Sequence, residues 1–392
     1  MVARKRVKRA FIIAGEPSGD KLGGALMVGL KTLSPGIAFD GVGGPLMQAQ
    51  GLESRFPMDE LSVMGITEVL PKYRALKARI RETAQAVIAS NPDVLITIDS
   101  PDFCFRVAKL VKKSSSIRTV HYVAPTVWAW RPGRAAKISK FVDHLLALFP
   151  FEPAYFTPHG MACDFVGHPV VAEPVATQDE AEAFRAEHDI GSAPLLMVLP
   201  GSRRGEVARL ADVFGGAISP VLARHPGLKV VVPAARPVAQ QVKEAVAQWP
   251  VAPVVIDPRD MASEDAACAK SAAFRAADIA LAASGTVSLE LAASRTPMVV
   301  AYRMHWLSYR LIRAMALVDT VTLVNLVSDT RFVPEFLGPD CESSAIGQAL
   351  IDVLKTPSDQ VEAMQITMER LGHRGEAPGL RAARAILHRA GV

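Results

Sequence analysis

Four turns in this 392-residue chain carry side chains whose type and spacing could do chemistry. Gly15-Glu-Pro-Ser-Gly-Asp-Lys-Leu-Gly-Gly24 follows a short apolar run and opens a helical stretch, the setting in which backbone N–H groups meet an anion. It is not a Walker A loop, because Asp20-Lys21-Leu22 stands where Lys-Ser/Thr is required, and the dinucleotide pattern G-x-G-x-x-G is absent. A ligand loop and a tight strand-to-helix turn both fit it. Thr97-Ile-Asp-Ser-Pro-Asp-Phe103 places Asp99 and Asp102 just past an apolar run. A carboxylate there is a candidate general base, whereas Asp102 after Pro101 also suits a turn.

The other two turns lie in the second half. In Pro200-Gly-Ser-Arg-Arg-Gly-Glu206, Gly201 and Ser202 can offer donors to a diphosphate while Arg203 supplies a cationic fork. The same residues also read as a capped helix start, with Ser202 as cap and Glu206 beside it. In Ser284-Gly-Thr-Val-Ser-Leu-Glu290, the small residues Ser284, Gly285 and Thr286 admit a ligand close to the backbone. Glu290, about one and a half helical turns on, could accept both hydroxyls of a ribose. An N-cap Ser284 with a solvated Glu290 fits the spacing equally well.

Such turns need strands and helices to hold them. Short apolar runs at 10–14, 94–98, 119–123 and 144–148 read as strands of one half. Runs at 195–199, 229–232, 254–256, 279–283 and 298–301 read as strands of a second. Most are apolar throughout, as parallel strands covered on both faces are, and helical stretches such as 76–89, 238–247 and 287–293 separate them. The pattern predicts an α/β fold of two Rossmann-like, doubly wound domains facing a cleft, with a Pro-containing linker near 170–190. The expected boundaries are 1–172 and 173–372, with a terminal helix over about 373–392 returning to the first domain.

Composition narrows the function classes. Lys and Arg total 44 against 39 Asp and Glu, a net charge of +5. That excess suits phosphate-bearing ligands or an anionic membrane surface, and it is too mild to predict nucleic acid as a partner. Mean hydropathy is +0.21, yet no apolar run approaches the roughly 20 residues that span a bilayer. The basic start followed by a short apolar run does not make a signal segment, so a cytoplasmic location is expected. Cys104, Cys163, Cys268 and Cys341 are scattered and His121, His168 and His305 isolated, so neither a disulfide framework nor a metal centre is expected.

With these turns in place the chain resembles the lipid-A-disaccharide synthase family, inverting glycosyltransferases of the two-lobed GT-B type. The carrying segments are Ala14–Asp20, Gly41-Val-Gly-Gly-Pro-Leu-Met47, Val63-Met-Gly-Ile66, Ile98–Phe103, His121-Tyr-Val-Ala-Pro-Thr-Val-Trp-Ala-Trp-Arg131, Leu199–Arg203 and Ala283–Thr286. They run in family order from residue 11 to about 335. The resemblance implies a UDP-2,3-diacylglucosamine donor, a 2,3-diacylglucosamine 1-phosphate (lipid X) acceptor and a β(1→6)-linked disaccharide 1-phosphate product with UDP. It implies no cofactor, an acceptor-binding, membrane-facing first domain and a UDP-sugar-binding second one. Residue by residue it makes Asp99 the candidate base, with Glu16 and Asp20 in the loop beside it. It makes Arg203 the diphosphate contact, Glu290 the ribose ligand and Asn325 a functional asparagine. Apart from the resemblance, Arg131 or Arg134 could meet the acceptor phosphate, though basic residues are too common in the chain to choose between them. Pro17 and Val324 depart from the family pattern, which has Ala and Pro there.

Tyr73, Leu76 and Ile80 recur at helical spacing among Lys72, Arg74, Lys77, Arg79 and Arg81. Such a helix can lie on an anionic interface or pack its apolar stripe on a sheet. The acylated substrates of the resembled family favour the interface, and hence a peripheral position on the cytoplasmic face of the inner membrane, with a homo-oligomer left open. Three rivals remain: another UDP-sugar activity such as a different hexosaminyltransferase or a UDP-sugar epimerase, a non-catalytic two-lobed solute-binding protein, and a nicotinamide oxidoreductase. The last lacks its dinucleotide fingerprint and the second would need export.

Overall fold

The computed structural model describes residues 7–61 and 66–390 and, among these, the side chains of all but 66–73, 307–308 and 390. The chain divides into two compact units, Met1–Ala172 with Leu371–Val392, and Glu173–Arg370.

The first unit is built on six parallel strands: β1 (Arg9–Ala14), β2 (Ala38–Val42), β3 (Val94–Ile98), β4 (Arg118–Tyr122), β5 (His144–Ala147) and β6 (Ala162–Phe165). They lie in the order β2-β1-β3-β4-β5-β6. β3 is buried along its whole length, because helices cover both faces and leave no solvent side on which polar residues could alternate. From β1 the chain steps outward to β2, then returns to place β3 on the other side. The resulting switch point lies between β1 and β3, and the C-terminal ends of strands at such a point are where open α/β sheets bind ligands.

The second unit repeats the plan with β7 (Leu195–Leu199), β8 (Lys229–Pro233), β9 (Val254–Ile256), β10 (Ile279–Ala283), β11 (Met298–Tyr302) and β12 (Glu335–Leu337). Their order is β12-β11-β10-β7-β8-β9, all parallel, so its switch point lies between β7 and β10. Val198, Leu281 and Val299 of the sheet pack with Phe214, Ile218 and Leu350 of its helices in the main core.

Three strands escaped the apolar-run reading: β2, β6 and β12. All three are edge strands, open along one side, and their residues are largely half-exposed. Asp40 in β2 and Asp164 in β6 use that opening for ion pairs with Arg55 and Arg389.

Helix Pro378–Ala390 lies against helix Pro17–Leu33 within the first unit. Glycines make this close crossing possible: a Cβ on Gly29 would stand 2.7 Å from the Gly379 carbonyl oxygen. Arg389 grips Asp164 through two bonds of 2.6 and 2.8 Å, and Arg381 lies 5.0 Å over the Phe165 ring. That helix is thereby tied to β6.

The helix Ile66–Ser90 corrects one expectation. Ile80 is 4 % exposed and sits in a core cluster with Phe56, Leu95 and Phe103, while Leu76 packs half-buried against the same cluster. That apolar stripe faces the sheet rather than a lipid phase, since packing there removes it from water. The Tyr73 side chain and segment 63–65 of the Val-Met-Gly-Ile motif lie outside the described residues.

Candidate functional site

At the first switch point the parallel register aligns Ala14, Ile98 and Tyr122 across β1, β3 and β4, so the residues that follow share one edge. Asp99 and Ser100 leave β3 in left-handed conformations, φ +52° and +42°, and Val123 leaves β4 at φ +84°. A β-branched residue at positive φ is an outlier, and three such non-glycine residues on one edge mark stored strain of the sort that clusters at functional sites. Hydrogen bonds hold the geometry. Asp99 N–H donates to the Tyr122 carbonyl at 3.0 Å, Val123 N–H donates to the Leu146 carbonyl at 3.1 Å, and Pro101 starts the next helix directly.

The turn reaches into the glycine-rich loop. Ser18 Oγ donates to Asp99 Oδ2 at 3.2 Å and Ser100 Oγ to Glu16 Oε1 at 3.5 Å. Gly15 permits the approach, because a Cβ there would lie 2.7 Å from Ser100 Oγ. Glu16, Ser18, Asp99 and Ser100 are therefore one cluster, with Asp99 half-buried, while Asp102 faces solvent in the first turn of its helix.

Asp20 departs from its expected place among the reacting groups. It is 3 % exposed, and its carboxylate accepts the backbone N–H groups of Gly44, Leu46 and Met47 at 2.9, 2.9 and 3.0 Å. A buried carboxylate so occupied shapes the Gly43-Gly44-Pro45 turn and is spent on that structural work.

At the second switch point, the turn after β7 differs from the expected Ser202 cap. Arg203 precedes the helix Arg204–Arg224, and Glu206 reaches back to accept the Ser202 and Arg203 N–H groups at 3.0 and 3.3 Å. Gly201 makes the turn at φ +118°, where an added Cβ would stand 2.5 Å from Glu206 Cβ. With these two amides engaged, the turn presents the Ser202 hydroxyl and the Arg203 guanidinium, whose side chain is 67 % exposed.

After β10, Gly285 and Thr286 are exposed and Ser284 half-buried, with Ser284 N–H donating to the Ala301 carbonyl at 3.3 Å. The cap of the short helix Val287–Ala293 is Thr286 rather than Ser284. Glu290 is ion-paired to Lys270, Nζ to Oε2 2.6 Å, and keeps a third of its side chain exposed.

Asn325 also departs from expectation. It is 1 % exposed, its amide nitrogen donates to the Val333 carbonyl at 2.9 Å, and its oxygen accepts Val333 N–H at 3.0 Å. Thr320 Oγ1 and Glu335 Oε1 complete its surroundings at 3.3 and 3.4 Å. It pins the helix Leu323–Ser328 to the segment before β12 and has no polar atom turned to solvent. Among the described residues no group of three or more His, Cys, Asp or Glu side chains gathers as metal ligands.

The family model for lipid-A-disaccharide synthetase matches residues 10–385, and with them both switch points and every turn described above. The chain belongs to the lipid-A-disaccharide synthase family. The lipid-A-disaccharide synthase of Ruegeria pomeroyi is 62 % identical over 384 residues, covering 98 % of this chain and 96 % of that one. That of Rhodospirillum centenum is 47 % identical over 384 residues, covering 96 % and 94 %.

Lipid-A-disaccharide synthases are UDP-sugar glycosyltransferases, and solved structures place this chain in the GT-B fold. A glycosyltransferase from Rickettsia africae matches with TM-score 0.58 at 11 % identity, over 98 % of this chain and 99 % of that one. The UDP-GlcNAc 2-epimerase of Neisseria meningitidis, bound to UDP-GlcNAc, matches with TM-score 0.57 at 10 % identity, over 97 % and 98 %. At such identity the likeness speaks for the fold alone, so the epimerase rival gains nothing from it.

Reading the sequence as a lipid-A-disaccharide synthase missed several residues that shape these edges. Ser18 and Lys270 are ordinary in sequence and become partners of Asp99 and Glu290 only through the sheet topology. Glu152 follows the Leu-Phe-Pro-Phe run after β5 and is 1 % exposed. It accepts Trp128 Nε1 at 3.2 Å and the Leu148 and Phe149 N–H groups, both at 3.0 Å. Burial pushes its carboxyl up to about 7, although these three donors pull the other way. Trp128 in turn packs edge-on to Phe151 at 5.2 Å, so Glu152 anchors the unusual Trp-Ala-Trp-Arg segment. The only sequence signal was a carboxylate inside an aromatic run.

Proposed function

We propose that the chain transfers 2,3-diacylglucosamine from UDP-2,3-diacylglucosamine to the 6-hydroxyl of 2,3-diacylglucosamine 1-phosphate. The products are the β(1→6) disaccharide 1-phosphate and UDP. The observation that carries this reading is the placement of Asp99 at the first switch point, half-buried and held by Ser18 Oγ and its own strained backbone. Asp99 takes the proton of the acceptor hydroxyl as its oxygen attacks the anomeric carbon, while the bond from that carbon to the diphosphate breaks with inversion. Glu16, tied to Ser100, orients the acceptor beside it.

Departure of the diphosphate is the task of the second unit. Arg203 and the Ser202 hydroxyl, presented by the Gly201 turn, stabilise the negative charge that builds on it. Ser284, Gly285 and Thr286 admit the nucleotide close to the backbone, and Glu290 accepts the ribose hydroxyls with Lys270 holding its other side. Asn325 serves by position, through the helix it pins.

Acylated substrates call for a membrane surface on the cytoplasmic face of the inner membrane. No helix among the described residues is long and apolar enough to cross a membrane, so the contact is peripheral in this reading. Support comes from Arg74, Lys77 and Arg81, exposed on the helix Ile66–Ser90. Further support comes from Trp306, Leu311 and Ile312, exposed beside Arg310 and Arg313 on the helix Trp306–Met315.

The test is turnover with both acylated substrates in detergent micelles, with EDTA and then with magnesium. Disaccharide phosphate from the wild type, lost in a folded Asp99→Ala variant, supports reaction and base together. Turnover that survives in the variant moves the base elsewhere. A folded wild type that makes no product in either buffer removes the transferase reading.

A further inference from the structure

The first unit carries a second concentration of positive charge at the edge opposite Asp99. Lys109, Lys112 and Lys113 of the helix Pro101–Ser114 meet Lys137 and Lys140, from the helix Arg134–Ile138 and the turn after it, around a cavity of about 440 Å³ beside Phe141. Asp143 fixes its position. It takes Lys112 Nζ at 2.6 and 2.7 Å and the Thr119 N–H at 2.9 Å, at the starts of β5 and β4. Asp99 lies past the end of β3, so the strands separate the two places.

Four of the five ammonium groups have no ion-pair partner among the described residues. Asp143 is occupied by Lys112 and Thr119, and Lys109 lies 4.8 Å over the Phe141 ring. Lys113, Lys137 and Lys140 are exposed and make no hydrogen bond or ion pair among the described residues. Lysines in the last turn of a helix do offset its dipole, which accounts for Lys112 and Lys113. It does not account for Lys137 and Lys140, which reach the same concavity from another element. Five ammonium groups around one cavity whose neighbouring Asp143 is already engaged repel each other, and a multiply charged oxyanion relieves that repulsion. Compact ammonium charges on flexible stems suit phosphate groups presented in more than one geometry.

We propose that this cavity is a second, non-catalytic binding site for phosphate groups, separate from the donor and acceptor sites. The proposal stands on these lysines and does not depend on the transferase reading. Two sources share this chemistry: phosphorylated solutes, and the headgroups of anionic phospholipids.

The variant Lys113→Glu/Lys137→Glu/Lys140→Glu separates them. With UDP present to occupy the nucleotide turns and ionic strength held constant with chloride, pyrophosphate should raise the wild-type melting temperature by about 2–4 °C. The shift should vanish in the variant. If lipid is the source, pyrophosphate leaves the midpoint unmoved and binding to phosphatidylglycerol vesicles falls several-fold in the variant, with phosphatidylcholine as control. Turnover in micelles should be unchanged, and a variant that loses it contradicts the non-catalytic assignment. If the charge reversals do not fold, the three Gln replacements serve in the same assays. The proposal is overturned if neither the pyrophosphate shift nor vesicle binding depends on the three lysines.

Discussion

Ser18 Oγ donates to Asp99 Oδ2 at 3.2 Å, joining the loop after β1 to the turn after β3 across the first switch point. That bond holds the carboxylate in one orientation toward an incoming hydroxyl. Ser18→Ala should therefore lower kcat by about 3- to 30-fold with little change in either KM. Asp99→Asn, which keeps the shape and removes the base, should lose about 10²- to 10⁴-fold. Steady-state kinetics of the two variants check this, and a Ser18→Ala kcat equal to the wild type would show the bond to be incidental.

Glu290 and Lys270 should separate binding from chemistry. Glu290→Gln is expected to raise the donor KM with little change in kcat, because a ribose contact distant from the reacting carbon is made equally in ground and transition states. Both side chains are a third or more exposed, so stability should change by less than about 1 kcal/mol. Donor-dependent kinetics beside a melting curve decide the matter; a kcat effect alone would contradict the assignment.

Asn325→Ala should behave in the opposite way. Deleting its amide leaves Val333 N–H and its carbonyl without partners in a buried place, a loss of about 2–4 kcal/mol. Denaturant unfolding measures it. An unchanged midpoint with a raised donor KM would return Asn325 to the list of ligands.

Glu152 gives a pH-dependent stability. Its carboxyl has an ordinary pKa of 4.5 and is raised in the folded chain, by burial first, to about 7. Its contribution is therefore fully present below 4.5 and is lost as pH rises through about 7, by about 3 kcal/mol. His168, held down to about 4 by burial, works in the other direction: its contribution is present above 6.5 and lost as pH falls through 4. Comparing wild type with Glu152→Gln across this range isolates the carboxyl. The stability difference between them should change steadily between pH 4.5 and 7, and a flat difference refutes the reading.

The returning terminal helix should be sensitive to a single methyl group. Gly29→Ala would place its Cβ 2.7 Å from a backbone oxygen of Gly379, which cannot swing aside as a side chain could. A destabilisation of about 1–3 kcal/mol is expected in thermal unfolding. A loss of similar sign is expected for Arg389→Ala, which leaves Asp164 with His144 alone and unties the helix from β6.

Much of this molecule is determined locally and was open to reading from the residues. Strands such as Val94–Ile98 and Ile279–Ala283 are apolar throughout because both faces are buried, and the turns after β1, β3, β7 and β10 are marked by Gly, Ser, Pro and Asp. The family followed from those turns in their order. Which polar side chain is spent on the fold and which remains for a ligand was decided only by tertiary structure. Asp20 and Asp99 are both acids beside a strand end, yet Asp20 meets three backbone N–H groups of a distant turn while Asp99 meets one hydroxyl. Ile80 carries the same apolar signal for a sheet as for a lipid surface, and the core claimed it. The partners that make these distinctions lie tens of residues away in the chain, and no local pattern of charge or hydropathy records who they are.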